Sequence, residues 1–171
     1  MTGDDAADGE TRYQLLGREL HYRAVPVTSP DGVSIAAQDW KREGSGRDVL
    51  FIHGFAQSHL SWLNQVASPL ADRFRLATYD LRGHGQSEKP FDPGCYRDPQ
   101  RWADEVDAVI QTLDLDRPVI VAWSYAGRVA LDYLSAFGDD RVSGVVFVCA
   151  TTVMAPWVVG AAGPSMRAMA A

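Results

Sequence analysis

Apolar positions in this chain fall into two patterns. Val49-Leu50-Phe51-Ile52 is a short continuous apolar run, the mark of a strand covered on both faces, and Val145 to Val148 is the last clear apolar strand. Arg75 to Tyr79, ending at Asp80, and Pro118 to Ala122 predict two more strands. Between them apolar residues recur at helical spacing. Trp62, Val66 and Leu70 predict a helix from Ser61, and Trp102, Val106, Ile110 and Leu113 form one stripe of another. A third, Gly127 to Phe137, turns Val129, Tyr133, Leu134 and Phe137 inward. Asp98-Pro99 is a helix start, with a capping side chain before a proline at the first helical position, and Gly138 is placed to end the third helix. Near the start, His21 to Val27 and Val33 to Trp40 predict two strands joined by a turn at Ser29-Pro30-Asp31-Gly32. A Gly- and Pro-rich loop follows from Arg82 to Pro99. Strand and helix alternate, which predicts an α/β fold: a mostly parallel twisted sheet with helices on both faces.

Residues 19–151 carry these patterns and form the expected core. The acidic stretch Met1 to Asp8 opens a segment, 1–18, expected to be a disordered tail. It is acidic where a secretion signal would be basic and then apolar. No run approaches the roughly 20 apolar residues needed to cross a bilayer. With 171 residues, 46% of them hydrophobic, the chain can bury a core of useful size. A net charge of −6 argues against nucleic acid or an anionic membrane surface as partner. Cys95 and Cys149 lie far apart without Cys or His companions, so neither a disulfide scaffold nor a zinc site is expected. Reduced thiols and the missing signal predict a cytoplasmic protein. Neither a metal nor a cofactor is expected, and the sequence does not assign an oligomeric state.

Candidate chemistry concentrates in three segments. Val119-Ile120-Val121-Ala122-Trp123-Ser124-Tyr125-Ala126-Gly127 reads as a buried strand running into a sharp turn with a serine at its apex. Such a turn presents a hydroxyl above a sheet; a chance serine at a strand-to-helix junction is the alternative. A serine is a poor nucleophile unless a base takes its proton and a third group orients that base. His53-Gly54-Phe55 follows the apolar strand at Val49, and His53 reads better as a histidine bonding the loop backbone than as a proton carrier. Arg82-Gly83-His84-Gly85-Gln86-Ser87 lacks the glycine spacing and the lysine of a phosphate loop. There His84 is expected to bond the loop and Asp80 to tie down the turn, while Trp123 and Tyr125 are expected to pack or to wall a pocket.

Together, Phe51 to Phe55, Tyr79 to Ser87 and Ala122 to Gly127 resemble, in order and spacing, the α/β-hydrolase superfamily, over residues 20–151. The likeness is greatest to its small esterase, haloperoxidase-like and C–C hydrolase branches. The resemblance implies that Ser124 is the nucleophile and that the backbone N–H groups of Phe55 and Tyr125 form the oxyanion hole. It implies glycine two before and two after the serine, where this chain has Ala122 and Ala126. It also implies the order serine, acid, histidine. All four histidines here (His21, His53, His59, His84) precede Ser124, and the carboxylates after it are Asp132, Asp139 and Asp140. Some members place the acid after the strand corresponding to Val145–Val148, where this chain reads Cys149-Ala150-Thr151-Thr152. The acid and histidine are therefore expected to be absent from this chain.

The resulting expectation is an N-terminal fragment of a serine hydrolase acting on a small ester or related acyl substrate through an acyl-enzyme on Ser124, and inactive alone. The sheet would lack the C-terminal strands and leave Val145–Val148 with an open edge. Residues 152–171, with Met154, Trp157, Val158, Val159, Met166 and Met169, would begin a cap or form a truncated tail. A small-molecule substrate is the expected partner. Haloperoxidase, perhydrolase and C–C hydrolase chemistry on the same scaffold, and a non-catalytic binding protein, are the alternatives.

Overall fold

The structure is a computed structural model, described here over residues 4–5, 10–15, 17–40 and 46–153. Eight strands form one sheet: β1 (Asp4–Asp5), β2 (Glu10–Leu15), β3 (Arg18–Thr28), β4 (Ser34–Asp39), β5 (Asp48–Ile52), β6 (Arg75–Tyr79), β7 (Val119–Trp123) and β8 (Gly144–Val148), in the order β1-β2-β3-β4-β6-β5-β7-β8. The neighbours among β6, β5, β7 and β8 pair in parallel, because a helix or loop excursion separates each from the next. On the other side β1 to β4 are antiparallel, and β4 joins β6 antiparallel. The α/β sheet is thus mixed, with its parallel half holding the three motif loops. In the segment expected to be a tail, Asp4–Asp5 and Glu10–Leu15 are strands, and β2 is in register with Arg18–Arg23 of β3.

Four α-helices are described: α1 (Leu63–Val66), α2 (Gly94–Arg97), α3 (Pro99–Thr112) and α4 (Ala126–Phe137). Strand residues alternate between two cores as a period of two demands. Leu50, Ile52, Ala77, Tyr79, Ile120 and Ala122 face α3 and α4, where they meet Trp102, Val106, Val109, Val129 and Tyr133. Phe51 and Leu76 face the opposite side and pack with Tyr22, Trp40, Trp62 and Val66. The helix expected from Ser61 is broken into a 3₁₀ turn at His59–Trp62, the single turn α1, and a second 3₁₀ turn at Pro69–Asp72. Pro69 disfavours a helical residue before it, and the Ser68 hydroxyl accepts from Leu70 N–H to start a new turn. The loop from Arg82 to Pro99 contains α2. Asp98 caps α3 as its sequence requires, accepting from Gln100 N–H at 3.0 Å, and Gly138 ends α4 at φ 75°.

The loops after β5 and β6 are held by buried charge. Arg82, fully buried, donates through Nε to Glu105 of α3 at 2.7 Å and through Nη1 to Asp31 of the β3–β4 turn at 2.7 Å. It also donates to the carbonyls of Cys95 and Arg101 and to the Ser29 hydroxyl. Asp80, equally buried, accepts from His59 N–H at 2.6 Å and from Gln86 N–H at 2.8 Å, and pairs with the His59 ring at 3.0 Å. A Cβ on Gly85 would lie 2.2 Å from that carboxyl, so the turn closes only with glycine there. His53 donates through Nδ1 to the Gly54 carbonyl at 2.7 Å and accepts at Nε2 from Leu81 N–H at 3.0 Å. It is the loop-bonding histidine the sequence suggests.

At the end of β8 the sheet meets solvent. Val146, Phe147 and Val148 are exposed, and among the described residues no strand lies beyond them. Residues 154–171 lie outside the described residues, so the expectation of a cap over 152–171 meets the structure only at Thr152 and Val153. No helix of the described residues is long and apolar enough to cross a membrane.

Two expectations follow. Replacing Glu105 by Ala leaves the Arg82 guanidinium buried against half its charge, so urea unfolding of Glu105→Ala should show a loss of about 3–5 kcal/mol. A second concerns pH. Burial raises the Glu105 pKa to about 7 and lowers that of His53 to about 4. Glu105 binds its proton more tightly when folded, so its contribution falls as pH rises from its unfolded value toward about 7. His53 binds its proton less tightly when folded, so its contribution falls as pH drops from its unfolded value toward about 4. The two slopes oppose each other over about pH 5 to 6.5. In Glu105→Gln the His53 slope stands alone, and stability should climb with pH by up to about 1.4 kcal/mol per unit across that interval, measured by chemical denaturation. A Glu105→Gln profile as flat as the parent's would contradict it.

Candidate active site

Ser124 sits where β7 must become α4 within two residues. Its φ of 55° lies in the left-handed region that a non-glycine residue occupies only when its surroundings impose it. The surroundings do so through its backbone. Ser124 N–H donates to the Val148 carbonyl of β8 at 3.1 Å, and its carbonyl accepts from Gly127 N–H at 3.1 Å and Thr151 N–H at 2.8 Å. Ala122 and Ala126, standing where the hydrolase pattern has glycine, are both fully buried. The close approach falls instead on Gly127, where a Cβ would lie 2.6 Å from the Ala150 Cβ and 3.1 Å from the Thr151 carbonyl oxygen. The hydrolase pattern places this glycine at 126, and in this chain Gly127 beside it meets the close contact.

Across from the serine, the loop after β5 presses against it. A Cβ on Gly54 would be 3.1 Å from the Ser124 Cβ, which puts the Phe55 backbone beside the elbow. Phe55 and Tyr125 meet through their rings, centroids 6.2 Å apart, and Phe55 also touches the His84 ring at 5.7 Å. Among the described residues, neither the Phe55 N–H nor the Tyr125 N–H donates to a protein acceptor. The Tyr125 hydroxyl is pushed up to about 12 by burial, so it stays protonated. Trp123 faces the other core, edge-on to Trp62 at 6.3 Å.

The ionisable groups nearby do not complete a relay to the hydroxyl. Both nitrogens of His53 are engaged with backbone groups, and burial keeps its ring neutral. His84 uses Nδ1 to donate to the Arg82 carbonyl at 2.9 Å. The Asp80–His59 pair has the contact of an acid orienting a histidine; burial pushes the Asp80 pKa up, but the His59 interaction and the Gln86 and His59 backbone N–H bonds outweigh it and leave it below its ordinary value. Yet Asp80 ends β6, two strand spacings or about 10 Å from β7. Its His59 ring packs on Tyr22 of β3, farther still from the serine. Beyond Ser124, Asp132 is paired to Arg128 at 2.7 Å, while Asp139 and Asp140 follow α4 at its far end, about 18 Å along the axis. The position after β8 is held by Cys149, exposed and at φ 43°.

Residues 49–164 match the family described as alpha/beta hydrolase fold. The chain is 40% identical over 126 residues to a probable oxidoreductase EphD of Mycobacterium tuberculosis, covering 71% of this chain and 20% of that protein. It is 33% identical over 127 residues to the bifunctional esterase/perhydrolase DCH of Acinetobacter calcoaceticus, covering 72% of this chain and 44% of that one. Among solved structures, a putative aryl esterase from Burkholderia cenocepacia superposes with a TM-score of 0.75 at 42% identity, over 78% of this chain and 49% of that one. The chain thus spans less than half the length of these relatives. The matched residues include the β5 loop, the Asp80 turn and the strained serine, and the chain belongs to the α/β-hydrolase fold family.

Proposed function

We propose that this chain carries the nucleophile half of a serine hydrolase acting on a small ester or related acyl substrate. One observation carries the reading: a non-glycine serine held at φ 55° between β7 and α4, with the Gly54 loop packed against it. Ser124 Oγ attacks the acyl carbon, and the oxygen of the tetrahedral intermediate is held by the N–H groups of Phe55 and Tyr125. The alcohol departs with the proton taken from Ser124, leaving an acyl-enzyme that water hydrolyses. An oxyanion donor of this kind contributes about 2.7–4 kcal/mol. The proposal assigns the base and its orienting acid to residues outside these 171, in keeping with the position of every histidine before Ser124. The esterase/perhydrolase relative favours a second reading, perhydrolysis at the same serine, in which peroxide replaces water in the second step. A cytoplasmic location belongs to the same proposal.

A fluorophosphonate probe tests this. A form of the protein that supplies a histidine after residue 171 should label at Ser124, and Ser124→Ala should not. The 171-residue chain alone should label slower by a factor on the order of 10⁴. If the longer form does not label, the hydrolase reading fails and a non-catalytic binding protein of this fold takes its place.

A further inference from the structure

Phe55 and Tyr125, to which the hydrolase reading assigns the oxyanion donors, belong to a row of rings that continues into α3. Tyr125 lies edge-on to Phe55 at 6.2 Å and edge-on to Trp102 at 5.7 Å. Trp102 is itself fixed from several directions. It is buried, its indole N–H donates to the Tyr96 carbonyl at 3.0 Å, its ring meets the Tyr96 ring at 6.4 Å, and the Arg82 guanidinium stands 5.7 Å from its ring centre. By contrast Tyr125, the residue before α4, makes no side-chain capping bond. Beyond the main chain, its ring contacts and its packing against the core under α3 and α4 locate it.

We propose that Trp102 is a positioning residue for the oxyanion hole: locked by Arg82 and Tyr96, it clamps Tyr125 against Phe55 and so sets the separation of the two donors. This rests on the Ser124 reading. A filler of the core would need only bulk at this place. A positioning ring must keep its contact with Tyr125, because a displacement of about 1 Å at a reacting centre can cost roughly 10²-fold in rate.

The 171-residue chain is suited to the test. Without a general base, the fluorophosphonate labelling rate of Ser124 reports mainly the hole. The ¹H–¹⁵N amide signals of Phe55 and Tyr125 report its geometry directly. Trp102→Leu should slow labelling about 10-fold or more and shift both amides, and Trp102→Phe, which restores a ring, should recover to within about threefold. Tyr125→Ala keeps its N–H but loses the clamped ring; it should slow labelling about as much and shift the Phe55 amide. Adding Trp102→Leu to Tyr125→Ala should then change the rate less than about twofold. The proposal is overturned if folded Trp102→Leu labels at the parent rate with unmoved amides, or if the two losses multiply. Should Trp102→Leu fail to fold, a Tyr125→Ala variant labelling at the parent rate overturns it alone. If parent Ser124 reacts no faster than a serine in a short peptide, the nucleophile reading falls instead, and unmoved Phe55 and Tyr125 amides in the variants separately overturn the clamp.

Discussion

A guanidinium with no exposure to solvent must be paired on every side, and the arrangement around the site follows from satisfying Arg82. Its donors reach the β3–β4 turn through Asp31 and Ser29, α3 through Glu105 and the Arg101 carbonyl, and α2 through the Cys95 carbonyl. Isolated, such a charge would be far too costly to bury; paired, it makes segments distant in sequence mutually dependent. The antiparallel half of the sheet, the loop after β6 and the helix α3 cannot move independently without breaking it. Glu105 shows what this arrangement costs. Even beside the guanidinium its full burial leaves its carboxyl harder to ionise, at about 7. The pair ties together segments distant in sequence while desolvating both of its charges.

The same logic of close approach governs the serine. A residue at φ 55° costs on the order of 1–3 kcal/mol and persists only when neighbours over-determine it. Here they are the Val148 carbonyl on one side and the N–H groups of Gly127 and Thr151 on the other. β8 therefore does more than extend the sheet: its end and the turn after it hold the elbow in its strained form. The absence of a side chain at Gly54 and Gly127 lets the two flanking segments come close enough to do this.

Much of this was legible in the residues. β5 falls on the continuous apolar run Val49 to Ile52, β6 on Arg75 to Tyr79 just before Asp80, and Asp98-Pro99 and Gly138 bound their helices for the local reasons their chemistry provides. The three motif segments converge as expected on the ends of parallel strands. Other features were not legible, each for a physical reason. β2 reads Glu10-Thr11-Arg12-Tyr13-Gln14-Leu15, too polar for an apolar-run criterion, and it is strand because its backbone pairs with β3. The stripe Trp62, Val66, Leu70 has helical spacing, but a period says nothing about Pro69 inside it. The elbow's tight glycine was sought at 126 and lies at 127, since the close contact comes from Ala150 and Thr151, distant partners no local pattern reveals. Trp102 looked like one member of an apolar stripe; its contact with Tyr125 depends on how α3 crosses α4.

What separates scaffold from chemistry here is where each is stored. The strain and the glycine contacts are properties of backbone packing and the ring row of side-chain packing, and the partners of all three lie within residues 46–153. Proton transfer is a property of one imidazole with a free nitrogen in reach of Oγ, and packing cannot substitute for it. The Asp80–His59 pair makes the point. It has an acid, a histidine and a short contact, yet it braces the turn at Gln86 and lies against Tyr22 of β3, several strands across the sheet from the β7 that carries Ser124. Two groups of the right kind are a relay only if the fold points them at the same atom. In this chain the fold instead bonds His53, His59 and His84 into the loops that follow β5 and β6, away from any relay to Oγ.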